Sequence, residues 1–321
     1  MLLRTLINEA RKTVSTLYPE GEASEMVFAL FEHLLGTKRY THIVEPSFDV
    51  PSASVRIVES ALERLAAGEP LQYVTGFAYF YGRRFRVSPD VLIPRPETEL
   101  LCRTAIESFS GHRTSQDMPP PARGCLLSRR RGSGETLCPE KDARSRVLDM
   151  CTGSGCIAWT MALECPDAEV VAVDISDTAL AVASTQDFAE ESNLTGAKTP
   201  QFIKADVLAG VPSDEAFARG FDMILSNPPY VMDSEKALMR TNVLDHEPHL
   251  ALFVSDDDPL VFYRAVARWS SALLSSHGIG LVEINEALGL ETAQVYLDAG
   301  FSSAEVLQDF SGRDRFVLFR R

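Results

Sequence analysis

The sequence predicts an α/β fold in which a parallel β-sheet is covered by helices and preceded by a small helical domain. Two patterns support this. After Ser145, short apolar runs alternate with helical stretches, as in parallel sheets packed between helices. Before Gly68, apolar residues recur at three- and four-residue steps, the period of one helix face. The length of 321 residues suits two domains, and 45% hydrophobic with 24% charged residues is an ordinary globular composition.

Residues 1–68 are predicted to form the helical domain. The first helix carries its apolar residues on one face, in the order Leu3, Leu6, Ile7, Ala10, Val14 and Leu17. Two further helices are expected over about 24–36 and 54–67, with Gly68 ending the last one.

Residues 69–95 are predicted to be a β-hairpin linker. From Leu71 to Ile93, β-branched and aromatic residues dominate, and Gly76 and Gly82 mark turns. A helix should then begin near Pro96, because proline suits the first helical turn and glutamates follow it there.

Residues 96–321 are expected to form the sheet domain. The candidate strands are 146–149, 170–174, 201–204, 223–226, 280–284, 303–308 and 315–319. Residues 110–144 hold several prolines and glycines with little apolar periodicity, which predicts a flexible insertion. Its basic run, Arg129–Arg131, is interpreted as a solvated loop, and an anchor for an anionic partner such as RNA is the alternative.

Charge and cysteine content exclude several classes of protein. A balance of 31 Lys+Arg against 45 Asp+Glu gives a formal net charge of −14, so we expect no stable nucleic-acid binding. The six cysteines lack paired CxxC spacing, which indicates neither a zinc site nor a disulfide framework and favours the cytoplasm. Asn8 and Glu9 interrupt the first apolar run, so no membrane segment is expected there.

A glycine turn follows the first candidate strand of the sheet. It consists of Cys151, Thr152, Gly153, Ser154 and Gly155, and a helix follows it. Glycines allow close approach of a ligand to the backbone, and a helix N-terminus offers unpaired N–H groups. The next strand ends at Asp174, where a carboxylate can bind both hydroxyls of a ribose. The pair indicates an adenosine-containing cofactor and leaves nicotinamide and S-adenosylmethionine open.

The segment Asn227, Pro228, Pro229 and Tyr230 resembles the Asn-Pro-Pro-Tyr motif of amino-group methyltransferases, which use S-adenosylmethionine. Two prolines remove two backbone donors and leave carbonyls free to accept. The side-chain oxygen of Asn227 and the carbonyl of Pro228 can therefore hold both hydrogens of a planar NH₂ group, with Tyr230 as an aromatic wall.

Other candidate residues carry weaker signals. Asp206 follows the third candidate strand and could accept from an adenine amine, with Val207 against the ring, although a surface turn is an equal alternative. His246 and His249 flank a proline, so they lack the helical spacing of a metal-binding pair, and no metal is expected.

Five stretches together resemble the protein-(glutamine-N5) methyltransferase family that modifies class I peptide chain release factors. They are Glu69–Gly76, Leu92–Glu99, Asp149–Gly155, Asn227–Tyr230 and Glu247–Leu252. The resemblance spans nearly the whole chain apart from the insertion. It implies a seven-stranded Rossmann-like class I methyltransferase domain whose last strand is antiparallel, with S-adenosylmethionine as cofactor and release factors as partners.

The resemblance also implies roles for individual residues. The glutamine of the Gly-Gly-Gln motif, methylated on its side-chain nitrogen N5, would contact Asn227, Pro228, Pro229 and Tyr230. The cofactor would contact the turn Cys151–Gly155, Asp174, the neighbourhood of Val207, and Asn227. Residues 1–68 would help to recognise the release factor. Cys151 departs from the family pattern, because glycine is usual there, and a cysteine would be strained if the position requires a positive φ.

Three alternative functions stay open. Enzymes that methylate a glutamine of a large-subunit ribosomal protein share the Asn-Pro-Pro-Tyr motif, but their equivalent of Ile93–Thr98 has a serine after the arginine. DNA adenine-N6 methyltransferases use the same motif on a flipped base, yet this acidic chain shows no long basic region to bind DNA. A binding module that has lost its cofactor is the non-enzymatic alternative, which Cys151 alone favours.

Overall fold

The computed structural model describes residues 1–110 and 145–321. The predicted basic run Arg129–Arg131 lies outside these residues, as does the predicted insertion apart from Ser110. In the described ranges the α-helices are α1 (Leu3–Val14), α2 (Glu20–Leu35), α3 (Thr41–Val44), α4 (Ser52–Ala66), α5 (Leu71–Thr75), α6 (Pro96–Ser110), α7 (Cys156–Glu164), α8 (Asp177–Ser184), α9 (Ala189–Thr195), α10 (Thr241–His246), α11 (His249–Leu252), α12 (Val261–Leu273) and α13 (Gly289–Asp298).

The strands fall in three sheets. They are β1 (Phe77–Phe80), β2 (Arg83–Arg86), β3 (Arg146–Met150), β4 (Glu169–Asp174), β5 (Gln201–Lys204), β6 (Phe221–Ser226), β7 (Val231–Met232), β8 (Phe253–Val254), β9 (Leu274–Glu283), β10 (Ser303–Gln308) and β11 (Asp314–Arg320). Short 3₁₀ helices cover Glu215–Phe217 and Asp233–Leu238.

The main sheet has seven strands in the order β10-β11-β9-β6-β3-β4-β5. Strand β11 pairs antiparallel with both neighbours, whereas β9, β6, β3, β4 and β5 are parallel. The predicted seven-stranded class I methyltransferase fold with an antiparallel last strand is therefore confirmed. From β3 the chain proceeds to β4 and β5 and then returns to β6 on the other side, so the carboxyl end of β3 is a topological switch point, where such sheets bind ligands.

Both faces of this sheet are buried, which explains why its strands are continuous apolar runs in the sequence. Val147 of β3 packs on one side with Trp159 of α7, and Leu148 packs on the other side with Trp269 of α12. Neighbouring residues of a strand point to opposite faces, so one short run contributes to two cores.

The N-terminal helices have their own apolar core. Leu6 of α1, Phe31 of α2 and Val58 of α4 are buried against one another at the predicted positions. Helix α2 ends at Leu35, close to the predicted end at residue 36, and the next residue, Gly36, forms a left-handed cap with a φ of 65°.

The predicted hairpin is shorter than expected, and the prediction of extended structure for Leu71–Thr75 was wrong. These residues form α5, which begins after Pro70 and ends at Gly76, with a φ of 77°. The hairpin itself, β1 with β2, covers only residues 77–86. Tertiary contact prevails over the β propensity of this segment, because Tyr73 is buried and its hydroxyl donates to the Val91 carbonyl at 2.7 Å.

Residues 1–110 and 145–321 contain no helix with the length and apolarity of a membrane span.

Candidate active site

A cleft of about 320 Å³ opens at the carboxyl ends of β3, β4, β5 and β6. Its volume lies in the range of small-molecule sites, roughly 300–1,000 Å³. The segment after each of these strands lines it: the turn after Met150, Asp174, Asp206 and Asn227. The parallel sheet therefore brings together, at its switch point, residues that are far apart in sequence.

The glycine turn forms one wall of the cleft. Gly153 has a φ of 53°, and a Cβ added to it would meet no atom within 4 Å, so the missing side chain leaves open space. Gly155 has a φ of 79°, and a Cβ there would lie 3.0 Å from the Cβ of Ala183. The first glycine therefore keeps the cleft open, and the second allows helix α8 to approach the turn.

Asp149 stabilises the glycine turn through hydrogen bonds. Its Oδ2 accepts hydrogen bonds from the hydroxyl of Thr152 at 2.5 Å and from the Ala158 N–H at 3.1 Å, while its Oδ1 has no partner among residues 1–110 and 145–321. Asp149 is fully buried, and burial raises the pKa of its carboxyl group to about 7, against the opposing effect of these two hydrogen bonds. This carboxyl group therefore stabilises the start of α7 and has no role in the cleft itself.

Asp174 lines the cleft at the end of β4 with its carboxylate fixed at both oxygens. Oδ2 accepts from the Gly153 N–H at 2.9 Å and Oδ1 from the Ser176 N–H at 3.0 Å. Burial raises the pKa of Asp174, and these backbone donors oppose the rise. A carboxylate oxygen can accept more than one hydrogen bond, so both oxygens keep capacity for the hydroxyls of a ribose.

Asp206 and Val207 also line the cleft, beyond the end of β5. Asp206 Oδ1 accepts from the Leu208 N–H at 2.8 Å, which fixes the local turn. Val207 is 5% exposed, and its carbonyl accepts from the indole N–H of Trp269 at 3.0 Å. Hydrogen bonds therefore fix the positions of both residues, at the end of the cleft away from Asn227.

Cys151 has a φ of 61°, which places a non-glycine residue in the left-handed region. The condition under which a cysteine would be strained at this position is therefore met. Cys151 is one of the residues that line the cleft, and it packs against the apolar core behind it. Burial raises the pKa of the Cys151 thiol, and it raises that of Cys156 to about 12, so neither forms a thiolate at neutral pH. Both act as packing residues.

These features fit an adenosyl cofactor. Gly153 leaves room in the cleft where a side chain would stand, Asp174 presents a fixed carboxylate, and Asp206 adds a second acceptor beside apolar Val207. Carboxylates suit ribose hydroxyls and an adenine amine, and an apolar side chain suits the flat ring.

Residues 227–230 are only partly exposed to the cleft. Asn227 and Pro229 line it, whereas Pro228 and Tyr230 do not. The Tyr230 hydroxyl donates instead to Glu283 Oε1 at 2.9 Å, behind the cleft wall. The motif therefore stands beside the glycine turn as predicted, but Tyr230 contacts the protein interior.

Thr98 and Glu283 are hydrogen-bonded to this motif, although the sequence did not indicate either residue as part of the site. The Asn227 amide donates to Thr98 Oγ1 at 3.2 Å, and the Thr98 hydroxyl donates to Glu283 Oε2 at 2.7 Å. Thr98 and Glu283 are 2% and 1% exposed. The only signal for Thr98 is its place in the family-like stretch Leu92–Glu99, and Glu283 has none.

A second buried carboxylate fastens the segment before α6 over the cleft. Glu247, 4% exposed, accepts from Arg95 Nη2 at 2.5 Å and from the Ile93 N–H at 3.2 Å. The stretches Leu92–Glu99 and Glu247–Leu252, which are far apart in sequence, are therefore in direct contact.

His246 and His249 do not form part of a metal-binding cluster. Over residues 1–110 and 145–321, no group of three or more His, Cys, Asp or Glu side chains could hold a metal ion. His249 Nε2 lies 2.8 Å from the Leu244 carbonyl and donates to it.

Two family models match the chain. Residues 5–76 match the PrmC N-terminal domain, and residues 135–250 match the methyltransferase small domain.

Curated relatives match nearly the full length. The release factor glutamine methyltransferase of Bacteroides thetaiotaomicron is 34% identical over 311 residues, which cover 97% of each chain. That of Flavobacterium psychrophilum is 32% identical over 317 residues, 99% of this chain and 98% of the relative. Among solved structures, the release factor-specific protein-(glutamine-N5) methyltransferase of Alicyclobacillus acidocaldarius is 24% identical over 74% of this chain and 99% of that chain, with a TM-score of 0.39, too low to add to the argument.

These matches confirm the predicted enzyme class, a methyltransferase dependent on S-adenosylmethionine. The sheet order, the glycine turn and the Asn-Pro-Pro-Tyr segment agree with the same assignment. The chain belongs to the release factor glutamine methyltransferase family.

Proposed function

We propose that this chain transfers a methyl group from S-adenosylmethionine to the side-chain amide nitrogen (N5) of the glutamine in the Gly-Gly-Gln motif of class I peptide chain release factors. The observation that carries the proposal is the position of Asn227, which lines the same cleft as Gly153 and Asp174. An acceptor for a flat amide thus stands beside the residues suited to the cofactor. The names of the full-length relatives support the choice of substrate.

The residues that would hold the cofactor all line the cleft: Cys151, Thr152, Gly153, Ser154, Asp174, Asp206, Val207 and Asn227. Gly155, also predicted to contact the cofactor, does not line the cleft and packs against α8 instead. When bound, S-adenosylmethionine supplies a methyl group made electrophilic by its sulfonium. Asp174 would bind the ribose hydroxyls, and Asp206 with Val207 would bind the adenine. Gly153 leaves the space that such a ligand needs next to the backbone.

Orientation of the acceptor nitrogen is the main task left to the protein, because the lone pair of an amide nitrogen is conjugated with its carbonyl. Asn227 Oδ1 would accept one N–H of the glutamine side chain, which orients the nitrogen in the cleft; the Pro228 carbonyl, predicted to accept the other N–H, belongs to a residue that does not line the cleft. The nitrogen would gain the methyl group in exchange for one of its N–H protons, and the electron pair of the broken S–CH₃ bond would stay on the cofactor sulfur. Pro229 stiffens this segment, and Tyr230 supports it from behind through Glu283.

Charge and sequence favour a release factor over the two other acceptors. A formal net charge of −14 opposes binding to DNA phosphates, which argues against adenine-N6 methylation. The Pro96 that follows Arg95 departs from the serine of enzymes that act on a ribosomal protein. In this proposal, residues 1–68 recognise the release factor, 69–95 link the two domains, and the reaction takes place in the cytoplasm.

The test uses purified protein, cofactor labelled in its methyl group, and three acceptors supplied separately: a class I release factor, large-subunit ribosomal proteins and double-stranded DNA. We expect label in the release factor alone. Label mainly in either of the other two would overturn the choice of substrate.

Asn227→Ala tests the residue at the centre of the proposal. It should lower kcat by at least about 100-fold, the effect of losing one well-placed polar group at a reaction centre, while calorimetry finds cofactor affinity within a few-fold of wild type. Asn193→Ala, at an exposed position of α9, is the matched control and should retain full activity. Wild-type turnover by Asn227→Ala would contradict the assigned role.

A further inference from the structure

A buried chain of hydrogen bonds runs from the cleft into the sheet. It begins at the Asn227 amide, passes through the Thr98 hydroxyl and ends at Glu283, which also accepts from the Tyr230 hydroxyl. The three bonds measure 3.2, 2.7 and 2.9 Å. Only its first two members, Asn227 and Thr98, line the cleft.

The direction of these bonds follows from the number of hydrogens available. The hydroxyls of Thr98 and Tyr230 each have one hydrogen, and both are directed at Glu283, whose two carboxylate oxygens accept them. The Thr98 oxygen then has only lone pairs to offer to Asn227. It can face the NH₂ end of that side chain but not the carbonyl end.

Burial strengthens this preference. Thr98 and Glu283 are almost completely excluded from solvent, so water cannot satisfy either group if the chain of bonds is reversed. Desolvation raises the pKa of Tyr230 well above its usual value, so its hydroxyl keeps its proton. Desolvation also raises the pKa of Glu283, while the two hydroxyls that donate to it oppose the rise.

An asparagine side chain has two orientations, related by rotation of the amide through half a turn. In one it offers an oxygen to the cleft, and in the other it offers two N–H donors. Only the first can accept a hydrogen bond from the NH₂ group of a glutamine, and the same oxygen repels the carboxylate of a glutamate. The catalytic orientation must therefore be selected before the substrate binds.

We propose that Thr98 and Glu283 are positioning residues that lock the Asn227 amide with its oxygen toward the cleft, which makes the site select a glutamine amide. The inference rests on the proposed function. The lock joins three elements: Thr98 lies in the first turn of α6, Glu283 ends β9, and Asn227 follows β6.

The first readout needs no turnover. The chain has five asparagines, at positions 8, 193, 227, 242 and 285, so selective ¹⁵N-asparagine labelling gives five side-chain NH₂ pairs in an NMR spectrum. The pair from Asn227 is the one that disappears in Asn227→Ala. We expect it to exchange slowly with water in the wild type and in Thr98→Ser, and at least about tenfold faster in Thr98→Val, which has no hydroxyl.

The second readout is kinetic. Thr98→Val should lower kcat on release factor by about 10-fold to 100-fold, as expected for a misplaced reacting group, with calorimetric affinity for S-adenosylmethionine within about twofold of wild type. Thr98→Ser should restore most of the lost kcat. The matched control is Thr292→Val in α13, a fully buried threonine whose hydroxyl has no hydrogen-bond partner in the described part of the chain. It should leave kcat unchanged.

Glu283→Gln gives a second route should Thr98→Val fail to fold. A glutamine amide can accept at only one end, so one of the two hydroxyls must reverse, and the Asn227 pair should again exchange faster while kcat falls. Unchanged exchange and unchanged kcat in whichever of the two variants folds would overturn the proposal.

Failure of the proposed function would look different. Wild-type protein would then leave the release factor unlabelled, while the Asn227 pair would still lose protection in Thr98→Val. That outcome would support the orienting role of Thr98 and Glu283 but contradict the proposed substrate.

Discussion

The two glycines of the turn after β3 predict different effects of the same substitution on stability and on cofactor binding. Gly153→Ala introduces a methyl group where no atom lies within 4 Å, on the side open to the cleft. A left-handed backbone costs an alanine about 1–2 kcal/mol, and the smaller entropy of its unfolded chain returns about 0.4–1 kcal/mol. The free energy of unfolding should therefore fall by only about 1 kcal/mol.

Gly155→Ala instead places a methyl group against closely packed atoms. Its Cβ would lie 3.0 Å from the Cβ and 3.3 Å from the Cα of Ala183, and 3.2 Å from the Trp159 ring. Overpacking costs about 1–3 kcal/mol and adds to the backbone strain, so the free energy of unfolding should fall by about 2–4 kcal/mol. Because the added methyl group contacts the backbone of Ala183 as well as side chains, rotation of a side chain can relieve little of the overlap.

Urea unfolding and calorimetric titration with S-adenosylmethionine separate the two effects. Gly153→Ala should bind the cofactor at least about tenfold more weakly, equal to about 1.4 kcal/mol, with stability nearly kept. Gly155→Ala should show the larger loss of stability. Wild-type cofactor affinity in Gly153→Ala would refute the role of that glycine, and equal stability losses in the two variants would refute the packing argument.

Three further predictions concern neighbouring residues. Cys151→Gly should unfold within about 1 kcal/mol of wild type, because relief of left-handed strain is offset by the greater unfolded entropy of glycine, and Cys151→Val should be clearly less stable in the same urea titration. Asp149→Asn removes a carboxyl group whose pKa burial raises from 3.8 to about 7. Because the folded state holds this proton more tightly, the wild type should lose stability relative to Asp149→Asn as pH rises from about 4 to 7, by on the order of 4 kcal/mol, and a difference independent of pH would contradict the assignment. Glu247→Gln weakens the hydrogen bond from Arg95 and should lower the free energy of unfolding by about 1–3 kcal/mol. An unchanged urea midpoint would show that this contact does not contribute to stability.

The strands of the sheet domain were predictable because burial on both faces leaves apolar runs with turn residues between them. Strand β4 illustrates this, since its four central residues are the apolar run Val170–Val173 and all four are buried. Leu71–Thr75 was misassigned for the complementary reason. Its β-branched and aromatic residues favour a strand, but Pro70 and Gly76 bound a short helix that buries Tyr73. Five residues carry too little periodicity to decide between the two.

The candidate site was predictable where its residues follow strand ends. Asp174 and Asn227 were found because parallel strands bring their carboxyl ends to one edge of the sheet. Thr98 and Glu283 were not found, because their contact joins positions 185 residues apart and neither residue type is unusual in its local sequence. The placement of Tyr230 behind the cleft also depends on Glu283, so the sequence could not reveal it.

Mass spectrometry of the release factor tests the central claim most directly. The peptide that contains the Gly-Gly-Gln motif should carry one methyl group on the glutamine side-chain amide when the factor is purified from cells that contain this protein, and none when the gene is deleted. An unmodified glutamine in both samples, or a methyl group on another residue, would contradict the account.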